Sequence, residues 1–184
     1  MALNSPSRRE LATAVLAAAA FPAAAQSPVA ITHVSPALAW SFDLDVEVGP
    51  AQELGQFAGG RRRVVPILGG QLSGPGLSGK VLPGGADWQT LRPDGVTLLQ
   101  ARYTVQMGDG QVVGIINTGV RRASPDVAAD LAAGKLVDPS KYYFRATPVF
   151  EVGPGSLGWL VENVFISVGE RLPTLVRLKV YRLG

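Results

Sequence analysis

Between Trp40 and Val48 the side chains alternate without a break. Trp40, Phe42, Leu44, Val46 and Val48 fall on one side of an extended chain, and Ser41, Asp43, Asp45 and Glu47 on the other. A period of two turns one row toward a core and the other toward water, which marks a half-buried β-strand. Apolar and β-branched runs recur at Arg63 to Leu72, Asp87 to Leu91, Thr97 to Met107, Val112 to Val120, Tyr142 to Glu151, Trp159 to Val168 and Thr174 to Leu183, giving eight expected strands. The intervals carry turn chemistry at Gly74 to Gly79, Pro83 to Gly85, Pro93 to Gly95, Gly108 to Gly110 and Gly153 to Gly155. One helix is expected over Ser124 to Ala133: Ser124 can cap it, Pro125 suits its first turn, Val127, Ala128, Leu131 and Ala132 share a face, and Gly134 ends it. Many short strands with one short helix predict an all-β fold, an antiparallel β-barrel of about eight strands in a single domain over residues 26–184.

Residues 1–25 have a different character. Arg8 and Arg9, between Ser7 and Glu10, precede an uncharged, alanine-rich stretch from Leu11 to Phe21; Pro22 then breaks it, and Ala23, Ala24 and Ala25 supply small residues before a cleavage site at Gln26. This order predicts a twin-arginine signal peptide, with the export machinery and signal peptidase as partners and a periplasmic or secreted product. The apolar stretch is shorter than the roughly 20 residues that span a bilayer, so it predicts no stable membrane anchor. Composition removes several function classes. The chain has no cysteine, and its one histidine, His33, leaves no His-based triad and no thiolate or multi-histidine metal site within one chain. The net charge of +3 includes only one basic run, Arg61 to Arg63, which does not suit a nucleic-acid binder. No glycine-rich segment joins a strand to a helix in the manner of a nucleotide site, and no cofactor or metal is expected.

Candidate chemistry gathers at four places. Asp87 and Trp88 follow Pro83, Gly84 and Gly85, so a flexible turn could aim a carboxylate and an indole into a pocket. Enclosure would raise the carboxyl's proton affinity toward the range useful to a general acid or base. Arg102 and Tyr103 are adjacent on one strand and must face opposite ways. Tyr143 and Arg145 share a strand face and could together polarise a carbonyl or carboxylate. Arg62 alternates away from Arg61 and Arg63. Asp87 and Tyr143 are therefore the candidate catalytic pair, with Arg145 beside them in one cavity, and Arg62, Trp88, Arg102, Tyr103 and Arg145 are candidate ligand contacts. The bland alternatives are that Asp87 caps its own turn, that the arginines face water and that the tyrosine is packing.

Longer motifs carry a resemblance. Gly60 to Arg63 lead to Pro66, Ile67, Gly69 and Gly70; Gly79 precedes Val81 to Gln89; then come Asp94, Gly95, Ala101 to Tyr103, Asn117, Gly119, Arg121, Val137 to Pro139, Tyr142 to Arg145, Pro148, Trp159 and Leu160. These residues resemble an uncharacterised bacterial and fungal family, domain of unknown function 3237 or uncharacterised protein family 0311. The resemblance implies a small barrel similar to the allene oxide cyclase, dirigent or calycin folds, and adds Asn117, Arg121 and Trp159 to the candidate ligand contacts. An asparagine commonly follows the Trp-Leu pair in that family, whereas this chain has Val161, with Asn163 two places on. The expected function is binding of a small, partly apolar organic molecule with a carbonyl or carboxylate, with cofactor-free proton transfer of the isomerase, cyclase or hydratase type. A non-catalytic periplasmic carrier and a structural homo-oligomer with a filled barrel are the alternatives.

Overall fold

A computed structural model describes residues 35–184. The leader, its cleavage site and His33 lie outside the described residues. The elements are β1 (Leu38–Val48), β2 (Gln52–Phe57), β3 (Gly60–Gly74), β4 (Leu77–Val81), β5 (Ala86–Leu91), β6 (Val96–Met107), β7 (Val112–Ala123), α1 (Pro125–Ala132), β8 (Tyr142–Glu151), α2 (Trp159–Glu162), β9 (Phe165–Arg171) and β10 (Leu175–Leu183). Hydrogen bonding runs in the order β1, β10, β9, β8, β7, β6; β5 and β4 then lie end to end between β6 and β3, and β3 pairs back onto β1. The result is a closed antiparallel barrel of eight strand positions with two short helices. Closure removes the sheet edges that an open sheet of this length would expose.

Two strands lack the expected pattern. The six residues of β2 are all exposed and carry no alternation, so pairing with β3, from Gln52 opposite Val64 to Phe57 opposite Gly60, is what holds them extended. β4 occupies a segment whose glycines had suggested a turn, because only Pro75 and Gly76 are needed to reverse the chain. Two expectations at strand ends are also corrected. A β-bulge between Trp40 and Phe42 breaks the alternation, leaving Trp40 48% exposed while Phe42, Leu44, Val46 and Val48 stay buried. The run from Trp159 starts as α2, where the Asn163 side chain donates to the Trp159 carbonyl at 2.8 Å, and the strand begins only at Phe165.

The interior is uneven along the barrel axis. At one end Phe42, Phe150 and Phe165 meet edge to face or tilted, with centroids 5.1–6.5 Å apart, and Trp159 covers Phe165 at 5.7 Å. Val81, Val105, Val113, Ile115 and Val180 complete a solid plug there. Toward the other end polar and charged residues join the inward rows, and a cavity of about 800 Å³ opens beneath α1, the start of β2 and the turn carrying Pro173 and Thr174. Leu131 anchors α1, whose observed span agrees with the expected helix although Ser124 makes no side-chain cap. A filled structural barrel is incompatible with that cavity.

Candidate functional site

Strand parity decides what enters the lumen. On β5, Asp87, Gln89 and Leu91 point inward; opposite them Val65 pairs with Asp87 and Arg63 with Gln89. The Gln89 Nε2 donates to Asp87 Oδ2 at 2.6 Å, and Arg63 Nε donates to Gln89 Oε1 at 2.8 Å. An amide has one donating and one accepting end, so this chain fixes the orientation of Gln89 and links a guanidinium to a carboxylate through a neutral group. Asp87 Oδ1 accepts from the backbone N–H of Gln100 on β6 at 2.9 Å. Asp87 is therefore held by the neighbouring strand and Gln89, not by its own turn. Burial raises the Asp87 carboxyl above the ordinary aspartate value, outweighing the opposing hydrogen bonds from Gln89 and Gln100 and the charges of Arg121 and Arg63.

Tyr103 and Asn117 face the same cavity from β6 and β7, 4% and 6% exposed, and neither the Tyr103 hydroxyl nor Asn117 Oδ1 has a hydrogen-bond partner among the described residues. Leaving such a group unsatisfied costs about 1–3 kcal/mol. Burial, with the nearby Asp87, raises the Tyr103 phenol, which therefore remains a hydrogen-bond donor at neutral pH. Arg121 is buried on β7 with no hydrogen bond to a described residue; burial, then Arg63 and Arg171, lower it to about 10, so it stays cationic at neutral pH. Arg171, at the end of β9, also lines the cavity and donates to the carbonyls of Leu172 and Leu175. Val48, Val65, Leu99, Phe144, Val176 and Leu178 make the remaining wall apolar. One potential base, one phenolic donor, one open acceptor and several cations thus share a pocket with room for an organic molecule.

The sequence pattern of a family described as protein of unknown function (DUF3237) matches residues 36–183, essentially the whole barrel. The chain belongs to this family. A UPF0311 protein of Clostridium acetobutylicum is 41% identical over 125 residues, covering 68% of this chain and 79% of that protein. The crystal structure of a conserved protein of unknown function from Rhodopseudomonas palustris superposes with a TM-score of 0.78 at 35% identity, over 83% of this chain and all of the other. A more distant structure, an enzyme from Penicillium herquei, shares the fold with a TM-score of 0.63 at 18% identity, over 85% of this chain and all of that one.

In this DUF3237 member the sequence-predicted residues divide. Asp87, Tyr103, Asn117 and Arg121 converge on the lumen. Tyr143 and Arg145 do not join them: both lie on the outer face of β8, Tyr143 52% exposed and Arg145 stacked over its ring at 5.1 Å. The reason is parity. Pairing of Arg121 with Phe144 and Arg122 with Tyr143 sends the row Tyr142, Phe144, Ala146, Pro148 and Phe150 inward, and that row is the more apolar of the two. Trp88 and Arg62 likewise point outward, Arg62 over the Phe57 ring. Arg102 forms an exposed pair with Glu151 at 3.5 Å. Trp159 belongs to the solid plug, and Val161, 55% exposed on α2 at that end, does not line the cavity. Three pocket residues were missed. Gln89 sits two places after Asp87 and Arg63 shares a row with Val65 and Ile67, so period two could have found both; Arg171 left no signal in its strand.

Proposed function

We propose that this DUF3237 member binds a small, partly apolar organic molecule bearing a carbonyl or carboxylate in its lumen, and that Asp87 moves a proton on that molecule without a cofactor. The observation that carries this reading is the pair of buried, unpartnered polar atoms, Tyr103 Oη and Asn117 Oδ1, facing the same cavity as a desolvated carboxylate. Asp87 would take a proton from the carbon next to the carbonyl. The enolate oxygen that forms would accept a hydrogen bond from Tyr103 and face the Arg121 charge, and return of the proton at another carbon gives an isomer of the bound molecule. A carrier would need the same apolar walls but no such base. Export through the twin-arginine leader would place this chemistry outside the cytoplasm.

Native mass spectrometry of protein purified from its own host is expected to reveal a retained small molecule. Returned to the protein in heavy water, that molecule should gain deuterium with the wild type and at least about 100-fold more slowly with Asp87→Asn. Retention without deuterium uptake by the wild type would leave the carrier.

A further inference from the structure

We infer that the lumen is built for a small organic dianion, held on the barrel axis by a ring of three arginines; this rests on the reading that the lumen binds an organic ligand and specifies its class. Arg63, Arg121 and Arg171 come from β3, β7 and β9. Around the closed barrel those strands are three, two and three positions apart, so the three arginines enter the cavity from strands spread almost evenly around it. All three line this cavity; Arg63 and Arg171 both act on Arg121, and Arg63 acts on Arg171, while the charges acting on Arg63 are those of Glu53, Arg61 and Asp87.

None of the three forms an ion pair with a described residue. Arg63 Nε is spent on the neutral Gln89 amide, Arg171 on backbone carbonyls, and Arg121 on nothing. At the rim Arg61 meets Glu53 at 3.5 Å, and the Glu53 charge also acts on Arg63. The lining as a whole holds four guanidiniums, Arg61, Arg63, Arg121 and Arg171, against two carboxylates, Glu53 and Asp87, which leaves +2, or +3 when Asp87 is protonated. A monocarboxylate would still leave buried positive charge. A dianion brings the pocket to neutrality while Asp87 is ionised, and guanidinium forks bind such oxygens through paired, charge-assisted hydrogen bonds. The apolar wall of Val48, Val65 and Leu178 calls for a carbon frame behind the charges. Two acidic groups on one frame, or a single doubly charged oxyanion carried by it, satisfy the same requirement.

Calorimetric titration of the purified chain at pH 8 and fixed ionic strength, with isophthalate, sulfate and benzoate as probes, tests this. Isophthalate should bind at least about tenfold more tightly than benzoate. Sulfate matching isophthalate would assign a single oxyanion head, and sulfate matching benzoate would assign two separated acidic groups. Arg121→Gln and Arg171→Gln should each bring the isophthalate-to-benzoate ratio close to one, with Arg121→Lys retaining part of it and circular dichroism verifying the fold. Equal affinity for isophthalate and benzoate, no binding of any probe, or an unchanged ratio in both folded glutamine variants would overturn the inference. Asp87→Asn separates the two readings, because removing a negative charge should keep or strengthen the preference. A preserved dianion preference with no deuterium uptake by the wild type would remove the proton-transfer reading alone, and uptake without the preference would remove the dianion alone.

Discussion

Replacing Asp87 with asparagine removes a charge while keeping the shape, and the hydrogen bonds around it determine the consequence. The carboxylate accepts from Gln89 Nε2 with one oxygen and from Gln100 N with the other. Asparagine has one oxygen. If it stays with Gln100, its amide nitrogen confronts that of Gln89; if Gln89 turns over, its nitrogen confronts Arg63 Nε instead. Every arrangement strands one donor, at a cost of about 1–3 kcal/mol. Against this stands the desolvation of the charged carboxylate. Burial raises its folded-state pKa, so between the unfolded and folded values the native state binds more protons than the unfolded chain, and stability falls as pH rises through that window. The contribution is fully present below about pH 4 and lost above the folded value. The wild type should therefore exceed Asp87→Asn by the whole hydrogen-bond cost at pH 4 and by less at pH 8, where removing the buried charge offsets part of it. Urea unfolding of both proteins across this range, followed by tryptophan fluorescence, cancels every other titrating group in the difference. A gap that instead widens toward pH 8 would mean that Arg63 and Arg121 hold the carboxyl below its ordinary value, and the acid–base role at neutral pH would fall with it.

Truncating the closed end by Phe165→Ala should cost about 3–5 kcal/mol, because the ring is 2% exposed and packs on Phe42, Phe150 and Trp159; a chemical unfolding shift below about 1 kcal/mol would show that the plug is not tightly packed. Gly169→Ala should destabilise by about 1–3 kcal/mol and push Phe144 into the cavity, since a methyl there would lie 2.5 Å from that ring, and unchanged melting with unchanged ligand retention would refute the contact. Tyr143→Phe and Arg145→Gln should leave ligand retention and stability within about 0.5 kcal/mol of wild type, as expected for outer-face groups, and weakened retention in native mass spectra would reinstate them. Exchanging Arg8 and Arg9 for lysine should stop export, read by fractionation and by processing at Gln26; unchanged processing would point to a general secretory signal.

Alternation from Phe42 to Val48 and along β8, the glycine turns and the apolar face of α1 behind Pro125 were enough to specify an antiparallel barrel with one such helix, because period and turn chemistry are local properties that sequence carries directly. The same period told that Tyr143 travels with Arg145, and it could have told that Asp87 travels with Gln89 and Arg63 with Val65. It did not tell which row faces in. That sign depends on pairing across strands far apart in the chain and on shifts such as the bulge at Trp40, and one residue of shift exchanges the two faces. Hence Asp87, Tyr103, Asn117 and Arg121 entered the lumen while Trp88, Tyr143 and Arg145 did not. Only closure of β3 onto β1 could bring Arg171, near the end of the chain, to a ring with Arg63 and Arg121, since a convergence around a barrel axis has no counterpart in any local stretch of sequence.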